Sequence, residues 1–97
     1  MNEIKITTVV HVRNSGYDVY IGRGSKWGNP FVIGRDGNRK QVLQKYQVWI
    51  MKQEHLLSDL YELRGKILGC WCKPKDCHGD ILSLLADSNL GGLAKLV

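Results

Sequence analysis

No apolar run among these 97 residues approaches the ~20 needed to cross a bilayer as a helix, which excludes a membrane-spanning segment of that kind. The N-terminus alternates Ile4 and Ile6 with Lys5 and Thr7 instead of building an unbroken apolar core, so no signal peptide is read there. Cysteine is scarce. The three present, Cys70, Cys72 and Cys77, are odd in number and crowded into one segment, so they cannot form a disulfide framework, and a reducing cytoplasm is the expected setting. The length suits one domain, residues 1–97, with a modest core.

Acidic residues are also short, but locally. Residues 1–45 hold eight of the 14 Lys and Arg and three of the nine Asp and Glu, so the whole net charge of +5 lies in the first half. That asymmetry suits a polyanionic or phosphate-bearing partner, and it serves solubility equally well.

Residues 4–13 are β-branched and partly alternating, Asn14-Ser15-Gly16 is a turn cluster, and Tyr17–Ile21 follows as a second strand, most simply a hairpin. His11 lies among apolar neighbours and reads as structural. Gly22–Gly37 lacks sustained periodicity and is rich in glycine. Such a loop directly after a strand has the parts of an anion cradle, because glycine lets the backbone approach a ligand while Arg23, Ser25 and Lys26 supply donors. Its spacing matches neither a Walker loop nor the dinucleotide fingerprint. The competing reading is a loop pinned by packing of Trp27, Pro30 and Phe31, with Phe31-Val32-Ile33 as a third short strand.

Behind Asn38 or Asp36 as a cap, the spacing of Val42, Leu43, Tyr46, Trp49 and Ile50 predicts an amphipathic helix over about 38–53. A second helical stretch, 55–63, stops at Gly65. Lys66–Cys72 then reads as a buried strand, and Asp80–Ala86 as a helix behind a Gly-Asp start. The glycine-broken tail, residues 89–97, folds back or frays. If the second strand and the Lys66–Cys72 strand are neighbours, the helical connection makes them parallel. The Gly22–Lys26 loop and the 72–80 loop then open on one edge of the sheet.

All three cysteines and His78 fall between Gly69 and Asp80, where a strand meets a helix start. Cys70, Cys72, Cys77 and His78 can be read as a three-thiolate, one-imidazole zinc site, although the paired Cys-x2-Cys knuckle is missing. In the metal-free alternative, the helix start at Cys77-His78-Gly79-Asp80 binds an anion, with His78 as phosphate ligand or general acid and Asp80 as base or ribose acceptor. The plain structural reading makes Cys70 and Cys72 small buried hydrophobes and Asp80 a helix cap.

Two stretches of this sequence, Tyr20-Ile21-Gly22-Arg23-Gly24-Ser25-Lys26-Trp27-Gly28-Asn29-Pro30-Phe31 and Gly69-Cys70-Trp71-Cys72-Lys73-Pro74 with Cys77-His78-Gly79-Asp80, resemble the two signatures of domain of unknown function 4326, a family of small phage and bacterial proteins. That resemblance implies a phage or prophage setting, hence a host cytoplasm, and brings no activity with it. The Cys70–Leu82 junction is also faintly similar to Rossmann-like nucleotide-binding proteins related to DNA-processing protein and lysine-decarboxylase-like phosphoribohydrolases.

The expectation is therefore a small α/β domain with a mixed sheet of three or four strands and two to three helices. It binds a nucleotide or other phosphate-bearing ligand, either as a binding protein or as a hydrolase or transferase acting on it. The candidate ligand residues are Arg23, Gly24, Ser25, Lys26, Trp27, Asn29, His78, Gly79 and Asp80. Trp27 or Trp71 is available to stack a base, with Trp71 the one expected in the core. The rival expectation is a zinc-stabilised module contacting nucleic acid or a host protein.

Overall fold

A computed structural model describes residues 6–14 and 16–88. The expectations for Ile4 and Lys5, for Ser15 and for the 89–97 tail lie outside those residues. Three strands, β1 (Thr8–His11), β2 (Val19–Tyr20) and β3 (Ile67–Cys70), form one sheet, and the helices are α1 (Arg39–Ile50), α2 (Glu54–Ser58) and α3 (His78–Asp87), with a 3-10 turn at Leu60–Glu62. This is the expected α/β class. Among the described residues no helix is long and apolar enough to cross a membrane.

The sheet order is β1-β3-β2 and both pairings are parallel, with Val9 and Val19 each beside Leu68. The sheet is thus all parallel rather than mixed, and the expected hairpin does not form. Residues 12–14 and 16–18 instead lie on the path that crosses β3, so that β2 starts again from the same end as β1. Asp18 anchors the crossing at the start of β3: its N–H donates to the Ile67 carbonyl at 2.7 Å, and Ile67 N–H donates to its carboxylate at 2.9 Å. The Tyr17 ring covers Gly69 so closely that a Cβ there would come within 2.6 Å of it. That approach requires glycine at the centre of the middle strand.

The opposite face of the sheet receives α3. A Cβ on Gly79 would come within 2.8 Å of both Ile21 and Val9, so α3 and the sheet meet backbone to side chain. Leu68 and Leu82 are wholly buried in this layer, each contributing about 1.5–3 kcal/mol relative to exposure. Tyr46 and Ile50 of α1, with Leu56, Leu60 and Leu63, complete the core.

Helix α1 starts where the sequence signals it. Asn38 Oδ1 accepts from Gln41 N–H at 2.9 Å and Gln41 Oε1 accepts from Asn38 N–H at 2.8 Å, a reciprocal cap. The other helical stretch divides into α2 and the 3-10 turn. Phe31-Val32-Ile33 is loop rather than strand, because the Val32 N–H donates to the Asp36 carboxylate at 2.8 Å and Asp36 N–H returns to the Val32 carbonyl at 2.8 Å. A closed turn of this kind leaves no ladder for a neighbour.

Candidate functional site

Parallel pairing of β2 and β3 brings the segments after Tyr20 and after Cys70 to one sheet edge. There they enclose a cavity of about 400 Å³, lined by Tyr20, Gly22, Arg23, Asn29, Phe31 and Ile33 from the first side, Trp71, Cys72, Cys77 and His78 from the second, and Arg39, Val42 and Leu43 of α1 above. Gly22 is required by this arrangement, since a Cβ would collide with the Tyr20 hydroxyl.

His78, the first residue of α3, joins the two sides. Its Nε2 lies 2.6 Å from the Ile21 carbonyl oxygen. A carbonyl can only accept, so the proton is on Nε2, and the neutral ring keeps its Nδ1 lone pair as an acceptor. Burial holds the imidazole below its usual pKa, and the nearby Arg23 guanidinium adds to that, against the opposing pull of the Ile21 carbonyl and Asp80. Tyr46 packs edge-on against the ring at 5.1 Å and donates its hydroxyl to the Trp27 carbonyl at 2.7 Å.

Two cations face the cavity. Arg23 Nη1 donates to the Asn29 carbonyl at 3.1 Å and Nη2 to the Phe31 carbonyl at 3.4 Å, which orients the guanidinium and leaves further N–H groups free. Arg39 Nη1 donates to the Asp76 carbonyl at 3.0 Å. Among the described residues neither arginine meets a carboxylate, whereas Arg35 and Lys73 are each paired with one and Lys26 with two.

Of the ligand residues expected from sequence, Arg23, Asn29 and His78 line the cavity. Lys26 does not: its ammonium pairs with Asp59 at 2.8 Å and Glu62 at 2.9 Å. Ser25 closes a tight turn through Oγ to the Gly22 carbonyl at 2.7 Å, and Gly24 forms the exposed bend of that turn with φ of 94°. Gly79 is buried against the sheet. Asp80 lies outside the lining, accepting from Cys77 N–H at 3.1 Å and pairing with Lys73, so it acts as cap and ion-pair partner. Of the two tryptophans available to stack a base, Trp27 is 2% exposed and belongs to the core, as in the packed-loop reading, while Trp71, the one expected in the core, is 53% exposed and walls the cavity.

The four residues expected to ligate zinc do not converge. Among the described residues no group of three or more His, Cys, Asp and Glu side chains assembles in a metal-holding arrangement. Cys70 and Cys77 pair instead, Sγ to Sγ at 3.2 Å, and His78 is turned to Ile21.

Sequence reasoning missed Tyr20, Phe31 and Arg39 as cavity residues. Arg39 carried a usable signal, since it follows the Asn38 cap and so begins the helix that faces both loops.

Residues 4–88 match the family described as Domain of unknown function (DUF4326). Among curated proteins, the chain is 38% identical over 84 residues to an uncharacterized 12.4 kDa protein from the nrdA-td intergenic region of Enterobacteria phage T4, spanning 81% of this chain and 76% of that one. It is 39% identical over 83 residues to the uncharacterized protein R718 of Acanthamoeba polyphaga mimivirus, covering 67% of this chain and 63% of that protein's length. No solved structure matches.

Proposed function

The chain belongs to the DUF4326 family, and from that premise, which brings no activity with it, we propose that the cavity between the glycine-rich loop and the Cys-His loop binds a nucleotide or a similar phosphate-bearing ligand. The observation that carries this reading is the pair of arginines, Arg23 and Arg39, placed on one cavity without a carboxylate partner among the described residues. Guanidinium forks recognise phosphate oxygens through charge-assisted hydrogen bonds, each worth about 1.5–3 kcal/mol. The remaining wall is largely apolar and aromatic, with Tyr20, Phe31, Val42, Leu43 and Trp71 available to a flat ring. His78 Nδ1 offers one acceptor for a ligand N–H or O–H. The cavity volume of about 400 Å³ lies in the range of small-ligand sites.

Amide NMR titration with a nucleoside monophosphate tests the assignment. Resonances of Gly22, Arg23, Asn29, Trp71, Cys72 and His78 should move together and saturate. Shifts confined to the Lys26 side, or none, would refute it.

A second reading has its own support. The Arg13 guanidinium lies 5.3 Å from the Trp71 ring centroid, and Trp71, Tyr17 and Tyr20 share a neighbouring surface depression with Arg13. Exposed aromatics beside arginine are what single-stranded nucleic acid stacks upon. Oligonucleotide affinity that falls steeply with salt and weakens in Arg13→Ala would favour this reading over a mononucleotide site.

A further inference from the structure

The cysteine pair takes no part in the ligand reading, yet its geometry is specific. Cys70 is the last residue of β3 and Cys77 is the N-cap of α3. Their sulfurs lie 3.2 Å apart, both are free thiols, and both are buried.

Rigid elements on each side hold that spacing. Cys70 sits in the central strand opposite His11, and its carbonyl accepts from Val12 N–H at 3.0 Å. Cys77 is fixed by its N–H bond to the Asp80 carboxylate and by the His78 tie to Ile21. A disulfide bond is about 2.0 Å long, so closing the gap needs a displacement of about 1 Å. The third thiol, Cys72, also lines the cavity, but its sulfur pairs with neither of the others.

We propose that Cys70 and Cys77 form a reversible dithiol–disulfide couple, oxidised by a small peroxide that enters through the cavity Cys77 lines. The thiolate of the pair attacks one peroxide oxygen. A sulfur–oxygen bond forms, the oxygen–oxygen bond breaks, and the departing hydroxide takes a proton to become water. The other thiol then attacks the sulfenic sulfur, forming the disulfide and expelling the second oxygen, which leaves as water with that thiol's proton. The two sulfurs together lose two electrons and the peroxide gains them.

The electrostatics place the thiolate of the pair on Cys70, buried 3.2 Å from the Cys77 sulfur, so the peroxide must pass Cys77 at the cavity wall to reach it. The hydrogen bond from Cys77 pushes the Cys70 thiol down, helped by backbone N–H groups of Lys73 and Cys72 against the effect of burial. The same pairing, together with burial, pushes Cys77 up. One thiolate in the pair is therefore favoured and two are opposed.

The consequence is local control of the cavity. Oxidation ties the end of β3 to the first turn of α3 and fixes both ends of the 71–76 segment, which includes Trp71 and Cys72 of the cavity wall. This couple stands on the sulfur geometry alone, so its test does not depend on any ligand.

Reduced full-length protein is treated with one equivalent of hydrogen peroxide, alkylated with iodoacetamide, and mapped by peptide mass. The result expected is a Cys70–Cys77 cross-link with Cys72 alkylated, reversed by dithiothreitol, and the same cross-link in Cys72→Ser. A cross-link containing Cys72, three alkylated cysteines after peroxide, or sulfinic acid at Cys77 without a cross-link would each overturn the proposal.

Discussion

His78 Nε2 and the Ile21 carbonyl oxygen, 57 residues apart in sequence, lie 2.6 Å from each other and join the start of α3 to the residue after β2. The bond closes the two halves of the cavity, and it ties folding to the charge state of a buried ring. Burial, the largest influence on His78, lowers its pKa from 6.5 in the folded state, so below that value the unfolded chain binds the proton more readily. Stability from this residue is fully present above pH 6.5 and should fall as pH drops through the window between the unfolded and folded pKa values. Urea unfolding between pH 7.5 and 5 checks this, and in His78→Gln the His78 part of the slope should disappear.

Tyr46 supports that ring from α1 while donating to the Trp27 carbonyl at 2.7 Å. Tyr46→Phe keeps the ring and strands a buried carbonyl, which should cost about 1–3 kcal/mol. Chemical denaturation of the variant should show a lower midpoint with an unchanged slope.

The crossing of β3 between β1 and β2 places the Tyr17 ring on Gly69. Gly69→Ala should therefore destabilise by about 1–3 kcal/mol through overpacking, and combining it with Tyr17→Ala should recover part of the loss. Purely additive losses in the double variant would mean that the two do not meet.

Local signals carried much of this architecture. Helix α1 follows from the spacing of Val42, Tyr46 and Ile50 behind Asn38, and β3, the Cys-His loop and α3 follow from one short apolar run, Pro74 and a second apolar run. The β1–β2 hairpin failed because Asn14-Ser15-Gly16 suits a turn, while the strand that separates β1 from β2 starts only at Ile67. No local pattern reports that insertion. Lys26 left the expected anion site for the same reason, since Asp59 and Glu62 reach it from a distant turn. Trp71 left its expected place in the core because burial depends on which wall a ring meets. Of the site, Arg23, Asn29 and His78 were legible from the loops that hold them and Arg39 was signalled by its place behind the Asn38 cap, whereas Tyr20 became visible only when the chain closed around the cavity.

The paired and unpaired cations make opposite forecasts. Lys26→Ala should leave ligand affinity within about twofold and lower stability slightly, because a surface ion pair contributes about 0–1 kcal/mol. A thermal melt and one titration of that variant suffice.

The most direct test of the arginine-lined cavity is calorimetric titration of a nucleoside monophosphate into the parent protein, Arg23→Ala and Arg39→Ala. Saturable binding to the parent, weakened about 10- to 100-fold in each arginine variant with the fold intact, is the result expected from the loss of one charge-assisted hydrogen bond. Equal affinity in all three proteins, or no binding to the parent at low salt, would contradict the assignment.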